Sequence, residues 1–277
     1  MSFWANVRAI SETIGYTLRG ESAIKVPSVE EMKLAMQVRK LNTDHLVSED
    51  SSVTEFGELL QEYFKYRADI LNDYVEPRLM NAQEAKSQFR KLVQELKPTC
   101  PLPMNKQKGK MKAKAYLTCL VNMIIESKTK ELPCDYDPRM LTTVTDGGRP
   151  LRTLARRLDG AFPSTVNPIA VWEIKEYYYT TTFGSRVADG VYETLLDGME
   201  LAELKEHENI DVLHYLMIDA YYTWWECGKS YLCRIIDSLH MGYIDEVLFG
   251  REVIESLPNI VAGWIALLRS TNTEKTP

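Results

Sequence analysis

Two carboxylates and a lysine stand on adjoining apolar segments near the middle of this 277-residue chain. Asp159 lies in Leu158-Asp159-Gly160, and Glu173 and Lys175 close the run Ile169-Ala170-Val171-Trp172-Glu173-Ile174-Lys175. That run of β-branched, aromatic and aliphatic residues reads as a buried strand. Strand side chains alternate faces, so Glu173 and Lys175 share one side while Ala170, Trp172 and Ile174 share the other. An acid and a base at the end of a largely buried strand are costly unless they pair, meet water or hold a ligand. Between Asp159 and this strand lies Ser164-Thr165-Val166-Asn167-Pro168, a polar connection of the length that joins hairpin strands. Antiparallel strands joined this way bring Asp159 beside Glu173. Two carboxylates so close are favourable only with a cation between them or a proton on one. An all-oxygen pair suits Mg²⁺, which keeps several waters and takes phosphate oxygens as further ligands.

Context separates this Glu-x-Lys from its repeats. The pattern occurs six times, and Glu31/Lys33, Glu84/Lys86, Glu95/Lys97, Glu126/Lys128 and Glu203/Lys205 all fall in segments of helical periodicity, where both residues suit a solvated face. Only Glu173/Lys175 ends a strand. A purely structural reading stands beside the chemical one: Asp159 capping the turn that follows it, Glu173 and Lys175 forming a strand-end ion pair.

Asp159, Glu173 and Lys175 together resemble the PD-(D/E)XK nuclease superfamily, which includes many type II restriction endonucleases. The resemblance extends over roughly residues 110 to 250 as an order of elements, while the motif itself is three residues long; Leu158 stands where the family usually has proline. It implies that Asp159 and Glu173 hold Mg²⁺, with Mn²⁺ as a possible substitute, assisted by the backbone carbonyl of Ile174. It also implies that Lys175 positions the attacking water or helps deprotonate it, and stabilises charge in the transition state. An extra acid on the preceding helix, Glu126, would be near the metal in that family; a solvated helical Glu is the alternative.

The elements that must position these residues follow from periodicity and punctuation. Ser28 to Leu41 opens with a Ser N-cap and Glu31 three residues on; Thr54 to about Val75 and Ala82 to Leu96 also carry helical patterns. Three prolines within Lys97 to Pro103 then suggest a boundary between a helical region, residues 1–100, serving DNA recognition or dimerisation, and a nuclease core, residues 101–277. The core is expected to run as a helix from Met111 to Lys128, strands at Met140 to Thr145 and Leu151 to Asp159 around the turn Asp146-Gly147-Gly148-Arg149-Pro150, with Gly160 and Pro163 breaking the second. The strand Ile169 to Lys175 follows, then a helix from about Phe183 to Lys205, the strand Val212 to Ile218 and a helix around Gly228 to Leu239. That order predicts an α/β fold, a restriction-endonuclease-like mixed sheet flanked by helices, with an N-terminal helical region.

A net charge of −6 weighs against nucleic-acid binding, but clustering counts for more than the sum. Lys106, Lys108, Lys110, Lys112 and Lys114 form one basic run, and Arg149, Arg152, Arg156 and Arg157 a second, ahead of the strand; Glu200, Glu203, Glu206, Glu208 and Asp211 gather after it. The lysines and Arg186 are therefore candidate DNA contacts. The stretch Tyr177 to Arg186, with Tyr178, Tyr179 and Thr180-Thr181-Thr182-Phe183, would border the site, and Tyr221-Tyr222-Thr223-Trp224-Trp225 reads as core in preference to an exposed stacking patch. Five cysteines without a Cys-x-x-Cys pair argue for free thiols and against zinc, and four scattered histidines offer no metal spacing. The start Met1-Ser2-Phe3-Trp4 lacks a signal-peptide pattern, and the apolar run Ile260 to Leu268 is too short to cross a bilayer. A cytoplasmic protein with no membrane partner is expected. The functional expectation is a Mg²⁺-dependent DNA endonuclease acting on double-stranded DNA as a homodimer, of the type II restriction or defence kind. The alternatives are a repair or recombination nuclease that reads DNA structure, and a non-catalytic nucleic-acid-binding protein that keeps the fold.

Overall fold

The computed structural model describes residues 2–18, 23–179 and 184–274. In chain order the helices and strands are α1 (Phe3–Ile14), α2 (Val29–Val38), α3 (Glu55–Asp69), α4 (Ala82–Leu96), α5 (Tyr116–Thr129), β1 (Asp135–Tyr136), β2 (Thr143–Asp146), β3 (Arg149–Thr153), β4 (Gly160–Phe162), β5 (Ala170–Glu176), α6 (Ser185–Glu208), β6 (Leu213–Asp219), α7 (Lys229–His240), β7 (Glu246–Phe249) and α8 (Glu252–Glu274). They divide into two compact units, residues 1–77 with 224–237, and residues 78–223 with 238–277. Helix α4 thus lies in the second unit, so the proline-rich stretch at 97–103 runs inside that unit.

The first unit is helical. Ser28 caps α2 through a complete capping box with Glu31, and Thr54 accepts from the Gly57 amide to start α3, which passes into a π-helical turn at Ile70–Val75. Val7, Ile10, Met32, Met36, Leu46, Leu60 and Phe64 form its core. Arg67, 1 % exposed, is buried against Asp237 at 3.0 Å, and that carboxylate also accepts from the Tyr63 hydroxyl at 2.6 Å. The shared acid satisfies a charge that burial alone would penalise.

The second unit is α/β, built on a mixed five-stranded sheet in the order β1-β4-β5-β6-β7 and flanked by helices. Strands β1, β4 and β5 are antiparallel neighbours, whereas β5, β6 and β7 run parallel. The period-two reading of β5 holds: Ala170, Trp172 and Ile174 pack into a core with residues of α5 and α8, while Val171 packs on the other face with Ala161, Leu201 and Leu204. Glu173 and Lys175 follow Val171 onto the face covered by α6.

Three expectations need correction. The hairpin around Gly147 and Gly148 forms, both glycines taking positive φ as such a turn requires, but β2 and β3 make a separate two-stranded sheet, with Thr143 bridging to Val166. The strand expected over Leu151 to Asp159 is therefore β3 ending at Thr153, a bend, and then β4 starting at Gly160. Gly160 does not break a strand; it lies in one, opposite Trp172, where a Cβ would fall 2.0 Å from the indole ring. Helix α5 starts at Tyr116, so Lys112 and Lys114 precede it. Thr180–Thr182 and the helix start expected at Phe183 lie outside the described residues.

Candidate active site

Pairing of β4 with β5 sets the first relationship. The register joins Gly160 to Trp172, Ala161 to Val171 and Phe162 to Ala170, and just before the strand Asp159 lies against the Trp172–Ile174 stretch of β5, near enough for the Glu173 charge to act on it. The Asp159 amide donates to the Trp172 carbonyl at 3.1 Å, and the Ile174 amide donates to Asp159 Oδ2 at 2.8 Å. Since a strand residue's N–H and C=O point to the same side, the Ile174 carbonyl is directed towards Asp159 as well. Burial raises the Asp159 carboxyl to about 6, with the Glu173 charge adding to the shift and the Ile174 amide opposing it.

Glu173 is 3 % exposed and Lys175 8 %. Lys175 Nζ sits 2.5 Å from Glu173 Oε1 and 2.9 Å from Glu193 Oε2, a residue of α6. Burial opposes the lysine's charge, but the Glu173 and Glu193 carboxylates outweigh it and hold the pKa above the ordinary lysine value. Helix α6 approaches closely at this point: a Cβ on Gly190 would lie 3.2 Å from Lys175 Cδ and Cε and from the Tyr177 hydroxyl.

Helix α6 supplies more than the sequence suggested. Arg156, part of the second basic run, turns inward from the bend before β4: one guanidinium nitrogen lies 2.7 Å from Glu173 Oε1 and 3.4 Å from Glu193, the other 2.5 Å from Asp197 Oδ2. Asp197 is fully buried, and desolvation carries it up to about 7 against the pull of Arg156. Glu193 moves the other way, since Lys175 and Arg156 outweigh its burial and lower it. Two carboxylate oxygens, Glu173 Oε2 and Asp197 Oδ1, are buried without a hydrogen-bond partner. Among the described residues, Asp159, Glu173, Glu193 and Asp197 gather around Arg156 and Lys175, four acids against two bases. With Asp197 raised to about 7 and Asp159 to about 6, part of this excess acid is held as protonated carboxyl near neutral pH. Among the described residues, no group of three or more His, Cys, Asp or Glu side chains is arranged as a metal cluster. A hard cation at Asp159 and Glu173 would have only these two carboxylate ligands and would need a backbone carbonyl, waters and substrate oxygens to complete its coordination.

The other expected residues fall elsewhere. Glu126 binds the amide and hydroxyl of Thr99 and so fastens the segment before α5. Lys106, Lys108, Lys110 and Lys112 are exposed on a hairpin-like loop closed by Ala115 N to Pro103 O at 3.0 Å and Asn105 N to Ala113 O at 2.8 Å. Lys114 is half-buried, donating to the Leu102 carbonyl at 2.6 Å. Arg186 is exposed, its carbonyl accepting from the Tyr177 hydroxyl at 3.2 Å. Arg149 and Arg157 are exposed, and Arg152 pairs with Glu203 at 2.6 Å. Trp224 and Trp225 are buried as read, while Tyr222 is exposed; all five cysteines are free. No described helix is long and apolar enough to cross a membrane. Arg156, Glu193 and Asp197 were missed as site residues. The one available signal was the spacing of Gly190, Glu193 and Asp197, which places them on one helical face.

Residues 80–264, which contain every residue of this cluster, match the family described as Domain of unknown function (DUF7687). The chain belongs to the DUF7687 family. Residues 1–74 match a second family, Domain of unknown function (DUF7690). The junction between the two matches coincides with the division of the chain near residue 77, although residues 224–237 of the DUF7687 match fold into the first unit. No curated protein and no solved structure matches the DUF7687 chain.

Proposed function

We propose that the second unit is a Mg²⁺-dependent endodeoxyribonuclease core of the PD-(D/E)XK, restriction-endonuclease-like kind. The observation that carries this reading is the juxtaposition of Asp159 with Glu173 across the β4/β5 pair, with Lys175 two residues on along the same face. Helix, sheet and helix order support it: α5, three antiparallel-paired strands β1, β4 and β5, then α6 and the parallel strand β6. Asp159 and Glu173 would hold the cation, which when bound supplies Lewis acidity at the scissile phosphate. Lys175, held by Glu173 and Glu193, carries the charge that orients a water and offsets the negative charge developing on the phosphoryl oxygens. The exposed lysines at positions 106, 108, 110 and 112 supply sequence-independent attraction to DNA, with Arg186 a further exposed cation. Sequence-specific cleavage by a homodimer is the preferred form, with structure-directed repair cleavage the close alternative.

A second reading has one observation in its favour. Glu173 Oε1 already accepts from both Lys175 and Arg156, so the cluster could serve only to fasten α6 to the sheet. Incubating the protein with unmethylated phage DNA and Mg²⁺, beside EDTA and Glu173→Ala controls, separates the two. Metal-dependent fragments lost in the variant support the nuclease. Cleavage that survives in the variant removes Glu173 from the mechanism.

A further inference from the structure

Positive charge at the cluster is distributed unevenly. Lys175 and Arg156 both converge on Glu173 Oε1, at 2.5 and 2.7 Å, while Oε2 of the same carboxylate is buried with no partner. Asp197, fully buried, repeats the pattern: Oδ2 takes the Arg156 guanidinium at 2.5 Å and Oδ1 has no partner. Orphaned buried acceptors are costly, and these two lie on either side of one guanidinium, open to a proton, a water or a cation.

Arg156 has the chemistry and the position to respond. It sits in the bend between β3 and β4, outside regular structure, and its side chain is 21 % exposed. A guanidinium cannot relieve crowding by losing its proton, so a cation arriving at Glu173 must repel it or move it. Its planar fork spans two carboxylates on two elements, Glu173 on β5 and Asp197 on α6.

We infer that Arg156 is the resident counter-ion of the cation site: bridged between Glu173 and Asp197, it competes with a divalent cation for Glu173, and Asp197 is the anchor onto which it withdraws when the cation enters. The inference rests on the cation reading of Asp159 and Glu173 and adds regulation to it. Arg156 and Asp197 are then positioning residues that set the cation concentration at which the site loads. Asp197 acts through Arg156.

The experiment is a titration of the full chain with Mn²⁺ in the absence of DNA, free Mn²⁺ being read by electron paramagnetic resonance. Unmodified protein, Arg156→Gln, Asp197→Asn and the double variant are compared, with circular dichroism to show that each is folded. Arg156→Gln is expected to bind Mn²⁺ about tenfold more tightly, the equivalent of about 1.4 kcal/mol. Asp197→Asn, which leaves the guanidinium to lean on Glu173, is expected to bind several-fold more weakly. In the Arg156→Gln background the same Asp197→Asn change is expected to have little effect, because the residue through which it acts is gone. Should Arg156→Gln fail to fold, Arg156→Lys takes its place: one ammonium cannot span both carboxylates, and tighter binding is again expected. Unchanged or weaker Mn²⁺ binding on replacing Arg156 overturns the inference, as does an Asp197→Asn effect of equal size in both backgrounds. A separate control, Glu173→Gln, tests the underlying site. If the unmodified chain has no Mn²⁺ site that Glu173→Gln removes, the cation reading itself falls, an outcome distinct from a site that is present but indifferent to Arg156.

Discussion

Strand β5 carries two clusters of buried acids three residues apart, and they are satisfied in opposite ways. At its end Glu176 stands beside Asp219 of β6, and their partners are mostly neutral donors: the Leu117 amide for Glu176 at 2.6 Å, and the Met80 and Ala220 amides and the Tyr178 hydroxyl for Asp219. Desolvation raises Glu176 to about 8 and Asp219 to about 7, so near neutral pH this pair carries a proton, chiefly on Glu176. It ties β5 to the start of α5 and β6 to the segment before α4. Glu173, by contrast, has charged partners only on one oxygen and none on the other, and its charge acts on Asp159. A closed, hydrogen-bonded pair is what a fold uses as a fastener. A cluster tied by ion pairs and left with unmet acceptors has room for a ligand to complete it.

The sharpest way to break this contrast is Asp159→Ala or Glu173→Ala. Either is expected to lower DNA cleavage by at least about a thousandfold, in the range for loss of a catalytic electrostatic group, while gel-shift affinity for DNA is retained. Next is Lys175→Ala, expected to reduce the single-turnover rate by about a hundredfold without weakening Mn²⁺ binding, because the lysine competes for Glu173 and does not hold the cation. A rate within a few-fold of the unmodified protein would strip Lys175 of its role.

Neutralising Lys106, Lys108 and Lys110 together leaves both acid clusters intact and is expected to weaken binding alike for all sequences. The slope of log affinity against log salt should flatten by about 3. An unchanged slope would move the DNA surface off this loop. The smallest effect is on stability. Glu176 and Asp219 have folded pKa values raised above their unfolded ones, so the stability they contribute is present below about pH 4 and is lost as pH rises through about 7 to 8. Thermal melts should therefore show Tm falling between pH 5.5 and 8.5, and Glu176→Gln should flatten that fall. A variant that melts with the same pH dependence as the unmodified chain would mean that Glu176 holds no proton.

What could be read from sequence was what local chemistry decides. The capping box Ser28–Glu31 announces α2, the helical pattern of Ala82 to Leu96 announces α4, and the alternation in β5 assigns Trp172 and Glu173 to opposite faces. What was misread depends on partners distant in the chain. Gly160 looks like a strand breaker until the Trp172 ring is placed across it. Arg156 looks like one more residue of a basic run until Asp197, forty-one residues later, turns it inward. Glu193 and Asp197 look like a solvated helix face because nothing local shows which side of α6 meets the sheet. Strand β1 is two residues long, and α8 runs through Pro258 in its interior, so neither announces itself by pattern.

The central claim is that Glu173 belongs to chemistry and Glu176 to architecture, and one side-by-side assay addresses it. Glu173→Gln and Glu176→Gln, both shown to be folded, are incubated with the same DNA and Mg²⁺ as the unmodified protein. The account predicts that Glu173→Gln leaves the DNA uncut while Glu176→Gln cuts at close to the unmodified rate. Equal cleavage by the two variants, with Glu173→Gln as active as the unmodified chain, would contradict it.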